Sequence, residues 1–159
     1  MRRGAAIPAT EDYMDHVDHK LAPLLMIFDV LHDDLKVRFQ GTGISERRKL
    51  DQTAQSWFAG NEHLIASNVV TNIWAALRIP CGIWSEAQFV TTVQRRLTVE
   101  ALSLPLAAQH GRPPRWVNIS VGLAGMDYDE RAMGWHGDVK LGWFDAGFGI
   151  PTAPILPVA

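Results

Sequence analysis

The chain has 159 residues, of which 47% are hydrophobic and 20% charged, and its formal net charge at pH 7 is -2. That is the length of one ordinary domain with enough apolar material for a real core, which excludes a disordered chain. Its basic residues come in short, scattered groups (Arg2-Arg3, Arg47-Arg48-Lys49, Arg95-Arg96), so the concentrated basic face of a nucleic-acid binder is missing.

A single cysteine, Cys81, cannot form an internal disulfide and fits a reducing compartment. No apolar run reaches the length of a membrane-spanning helix, and Arg2-Arg3 is not followed by the apolar stretch of a signal peptide. The expectation is a soluble, cytoplasmic protein. Five of the six tryptophans (Trp74, Trp84, Trp116, Trp135 and Trp143) lie beyond residue 70, where they serve packing or face a partner.

Residues 1–21 are polar, with Thr10 placed to cap a helix over residues 10–21 whose apolar side is Tyr13, Met14, Val17 and Leu21. Ala22 to Gly43 has the pattern of an antiparallel hairpin: an apolar run, the turn His32-Asp33-Asp34, an alternating run and a Gly-Thr-Gly break. The first run is apolar on both faces, Leu24, Met26, Phe28 and Val30 against Leu25, Ile27 and Leu31, so both faces must be covered. In the second run Val37 and Phe39 face one way, and Lys36, Arg38 and Gln40 the other.

Residues 44–60 predict one or two short helical turns, and residues 61–79 a long amphipathic helix that Asn61 opens and Pro80 ends. Strands follow over 81–90, over 95–108 with Pro105 marking an edge or an end, and over 116–123 after the turn at residues 110–114. From residue 125 the Gly- and Pro-rich chain reads as a surface or loose tail. Two strands cannot shield their own apolar faces, so the economical α+β architecture is one five-stranded antiparallel sheet with helices packed on one face, plus an N-terminal helix.

Chemistry-bearing residues are sparse. His16 and His19, with Asp15 and Asp18, are too few for a tight metal site, and no metal is expected. His63 opens the long helix without a haem-attachment motif, and no cofactor follows from the residues. Cys81 has neutral neighbours, Pro80 and Gly82, and reads as structural. Gly41-Thr42-Gly43 lacks the lysine of a phosphate loop. Asp29, an acid in an apolar run, Glu100 and His63 are the acid–base candidates should the chain be a small α+β enzyme.

The order helix, two strands, helical segment, long helix, three strands resembles the PAS sensory domain, and within it a bacterial PAS-like family of short stand-alone proteins. The resemblance rests on Arg3, Pro8 and Asp12-Tyr13 ahead of the first strand, Asp29-Val30 at its end, Phe39-Gln40-Gly41-Thr42 closing the second, and Leu104-Pro105-Leu106 in a late strand. It spans residues 3–124. Ser45 to Asp51 departs from it, being basic where such proteins carry a Gly- and acid-rich turn, and the tail beyond residue 125 has no counterpart.

The resemblance implies a lead-in (1–21), a PAS-like domain (22–124) and a C-terminal extension (125–159), acting as a sensory or interaction module rather than an enzyme. It implies a homodimer and signalling through a partner protein, since the chain has no room for an output domain. A small ligand would sit between sheet and helices, lined by Phe39, Val99, Ile119 and Val121 from strands and Trp74 and Leu77 from the long helix. The same residues would equally serve to fill a closed core.

Overall fold

A computed structural model describes residues 7–122, 130 and 132–159. In chain order the elements are α1 (Thr10–Met14), a 3-10 turn (Ala22–Leu24), β1 (Leu25–Val30), β2 (Leu35–Gln40), α2 (Thr42–Arg48), α3 (Ala66–Arg78), β3 (Gly82–Thr91), β4 (Arg96–Leu106), β5 (Arg115–Val121) and β6 (Ala132–Phe144). The strands form one antiparallel sheet in the order β2-β1-β5-β4-β3-β6.

The sheet therefore has six strands, not the five expected. The sixth comes from the segment read as a tail: β6 runs along β3 from Gly82↔Phe144 to Thr91↔Ala132, with two register shifts. Gly134, Gly137 and Gly142 obscured it, because glycine inside a strand weakens the alternating signal. Gly142 has a packing reason, since a Cβ there would overlap the indole of Trp84 on the neighbouring strand. The last residues run over α3, where Asn72 binds the Leu156 backbone through both amide atoms (2.8 and 2.9 Å) and Ile65 N–H donates to the Val158 carbonyl.

Nor do the helices pack on one face. α2 and α3 cover the inner face through Ile44, Val70, Ile73 and Ala76, which meet Met26, Phe28, Val30, Leu35, Val37, Ile83 and Trp116. On the opposite, outer face Tyr13, Met14 and Val17 pack with Leu25, Ile27, Leu106 and Val117. This is why β1 is apolar on both sides: Leu25 to Phe28 are all buried. A parallel bridge Ala9↔Ala107, with Ala107 N–H donating to the Pro8 carbonyl at 2.9 Å, ties the N-terminal segment to the end of β4.

The helix expected over residues 10–21 is a single turn. Ala9 stands at its N-cap without a side-chain bond, and Thr10 is buried rather than capping. Asp15, His16, Asp18 and His19 are poor helix formers, and the Asp18 carboxylate accepts the Lys20 N–H at 2.8 Å, a local bond that competes with helix. α3 also starts later than expected, because Asn61 donates to the Trp57 carbonyl (2.7 Å) instead of capping it.

Pro105 sits at the end of β4, opposite Trp116, past the point where pairing with β3 stops at Ser103, so its missing N–H costs no ladder bond there. Gly41 meets the turn at Ala22–Leu24 so closely that a Cβ would strike the Ala22 and Pro23 carbonyls, which explains the glycine after β2. The expected end of the third late strand, Leu123, lies outside the described residues, as does the start of the expected tail. Among the described residues no helix is long and apolar enough to cross a membrane.

Candidate functional site

Strand alternation puts two unlike sets of residues on the two faces of β5. Val117 and Ile119 point outward, while Trp116, Asn118 and Ser120 point inward toward α2 and α3. The same phase holds in β4, where Val99, Ala101 and Ser103 are inward, and in β3, where Ile83, Ser85 and Phe89 are inward. Under this part of the sheet the helices do not fill the space, and a cavity of about 170 Å³ remains. Its roof is Ile44 and Arg48 of α2, Trp57, Asn61 and Leu64 of the following loop, and Val69, Asn72 and Ile73 of α3.

The sheet side of the cavity carries a hydrogen-bonded polar run. Ser120 Oγ donates to Asn118 Oδ1 at 2.6 Å, and Asn118 Nδ2 donates to Ser103 Oγ at 2.8 Å. Asn118 and Ser103 are register partners on β5 and β4, so the run follows from strand pairing. A small domain with spare apolar residues has no packing need for hydroxyls and an amide on an inner face, where each costs desolvation.

Arg48 closes the other side. It lies four residues after the buried Ile44, and that spacing puts both on one face of α2. Its guanidinium stacks over Trp57, 4.9 Å from the ring centroid. Trp57 is fixed in turn by an edge-on contact with Phe28 (5.4 Å, 71°) and by its N–H donating to the Leu35 carbonyl at 2.8 Å. The exit of α2 is pinned by Gln40, whose amide donates to Ser45 Oγ and the Leu50 carbonyl and accepts from the Gln52 N–H. Lys49 takes the left-handed conformation there (φ 52).

Burial lowers the Arg48 pKa from its ordinary value, though a guanidinium stays charged. Among the described residues no carboxylate pairs with Arg48, and it is the only ionisable side chain lining the cavity. His63 lies near enough to feel it, its pKa lowered first by burial and then by the Arg48 charge.

Of the six residues expected to line a ligand site, Val99 is at the wall of this cavity. Trp74 and Leu77 pack at the margin of the inner core without lining the cavity, and the Trp74 indole N–H donates to the Leu31 carbonyl (3.2 Å). Phe39 and Ile119 belong to the outer-face cluster, and Val121 is exposed. The missed residues are the polar half of β5 and Arg48. The signal for Arg48 was its spacing from Ile44 inside the segment that departs from the PAS-like pattern.

The acid–base candidates are elsewhere. Asp29 bridges two neighbouring strands, accepting from Arg115 Nε at 2.9 Å and pairing with Arg38 at 3.3 Å. Glu100 is exposed and registers opposite Glu86, which pairs with Lys140. Burial and the nearby Asp145 raise the Cys81 thiol pKa, the reverse of an activated thiolate. His16 donates to the Asp12 carbonyl and His19 pairs with Asp18, both at the surface. Among the described residues no group of three or more His, Cys, Asp or Glu gathers to hold a metal.

No family model, curated protein or solved structure matches this chain.

Proposed function

We propose that this protein is a PAS-like sensory module that holds a small molecule between the inner sheet face and α2–α3 and passes its occupancy to a partner protein. The observation that carries the reading is the cavity of about 170 Å³ with a hydrogen-bonded polar run on its sheet wall and mostly apolar side chains elsewhere, interrupted by Arg48, Asn61 and Asn72 in the roof. Few convergent polar groups in an apolar enclosure are what a small-molecule site needs. An apolar cavity of ~150 Å³ already takes benzene, which sets the scale of the occupant. The element order supports the PAS-like assignment: β1 and β2, then α2 and α3, then β3 to β5 is the order on which the resemblance rests.

Asp29, Glu100 and His63 do not line the cavity, which favours holding a ligand over turning one over. The reading includes a cytoplasmic location and a homodimer formed through the outer sheet face, where Trp84, Val121 and Phe144 are exposed beyond the reach of α1. Ligand occupancy acts by binding one of two states better than the other.

Native mass spectrometry of freshly purified protein tests this, since one spectrum reports bound mass and subunit count. A retained small molecule in a dimer, and a rise in melting temperature when it is added back, is the expected result. A bare monomer whose melting point no small molecule moves would overturn it.

A further inference from the structure

The strongest unexplained feature of the molecule is a cation in the wall of an otherwise uncharged cavity. Arg48 lines the space, its charge is partly desolvated, and no carboxylate among the described residues answers it. Two bland explanations fall short. Its place in the last turn of α2 suits a cation, because the carbonyl end of a helix is partly negative. The Trp57 ring likewise supports the face of the guanidinium. Neither supplies acceptors in the guanidinium plane, where its five N–H donors point. A surface arginine would leave those donors to water, but here the ring contact and the α2 exit hold the head group at the cavity.

We propose that the ligand is a small organic anion, a carboxylate with a compact apolar body, whose charged end meets Arg48 and whose body lies against Val99, Ala101 and Ile73. A planar carboxylate matches the fork of a guanidinium with two parallel hydrogen bonds, which a lysine cannot reproduce. The Ser103–Asn118–Ser120 run on the facing wall offers hydroxyl and amide groups to a second polar substituent. A cavity of about 170 Å³ admits a body the size of one six-membered ring. This proposal rests on reading the cavity as a ligand site, and it names the chemistry of the occupant.

The test is titration calorimetry with benzoate and with benzamide, its neutral counterpart of nearly the same shape. Both are run on the full chain, on Arg48→Met, on Arg48→Lys and on Ala101→Phe, which fills the cavity. The expected result is that wild type binds benzoate at least tenfold more tightly than benzamide. Arg48→Met should bring benzoate down to the benzamide level, Arg48→Lys should lie between, and Ala101→Phe should abolish both. If benzamide binds as well as benzoate, or Arg48→Met leaves benzoate unchanged, the anion proposal is overturned while the ligand cavity stands. If wild type binds neither probe, nor hexanoate nor hexanamide, the cavity reading falls and the proposal with it. Should Arg48→Met lose its circular dichroism spectrum, the wild-type ratio and Arg48→Lys decide the matter.

Discussion

The polar run on the inner sheet face makes a prediction that separates a binding surface from a structural staple. Ser103→Ala removes the acceptor of the Asn118 Nδ2–H at 2.8 Å in a half-buried position. A donor left without its partner there costs ~1–2 kcal/mol. The triple variant Ser103→Ala, Asn118→Val, Ser120→Ala removes both hydrogen bonds and all three polar groups together. No donor or acceptor is then left stranded, and replacing both partners of a buried bond by apolar groups of similar shape is nearly neutral or stabilising. The triple variant should therefore lie within ~1 kcal/mol of wild type, or above it, and be more stable than Ser103→Ala alone. Urea unfolding monitored by tryptophan fluorescence measures this, with an unchanged m-value as the sign that the compactness of both states is kept. A triple variant destabilised by ~3 kcal/mol or more would refute the reasoning, since the run would then be holding β4 to β5 rather than facing a ligand.

Three further outcomes follow from other parts of the fold. Gln52 is fully buried and, among the described residues, neither atom of its amide has a partner, so Gln52→Met should stabilise the protein by ~1 kcal/mol or more in urea; a loss of stability would contradict it. Asp29, with a side chain 14% exposed between Arg115 and Arg38, should cost ~2 kcal/mol as Asp29→Ala by stranding Arg115, and Asp29→Ala with Arg115→Met should cost less; equal losses in the two would deny the bridge a net role. The His63 pKa is lowered in the folded state by burial and by Arg48, so its contribution to stability is complete above pH ~6.5 and is lost as pH falls through the folded value, where the unfolded chain binds more protons. An NMR titration of the His63 ring proton should show a higher pKa in Arg48→Met, and no change there would remove Arg48 as a cause.

The β1–β2 hairpin was legible because apolar runs and turn residues encode it locally. Leu25–Val30, the turn at His32-Asp33-Asp34 and Leu35–Gln40 read directly as a hairpin. What alternation cannot encode is which side of a strand faces the larger enclosure once both sides are covered. In β5 the rule that apolar residues face the core assigned Ile119 and Val121 to the ligand side. They lie instead on the outer face with Val117, where the N-terminal turn covers Ile119 and leaves Val121 exposed. The polar set Asn118 and Ser120 faces the cavity, and the apolar set packs in the second, smaller core. β6 was hidden for a different reason: its glycines break the alternation, and one of them, Gly142, answers a contact made by Trp84 on another strand, which no local pattern announces. Arg48 combines both difficulties. Its spacing from Ile44 is local and readable, but the absence of a counter-charge among the described residues is a property of the whole assembly, fixed only when Trp57, α3 and the sheet close around it. A cation without a counter-charge among the described residues, in a chain with aliphatic residues to spare, is the local inconsistency on which the anion proposal rests.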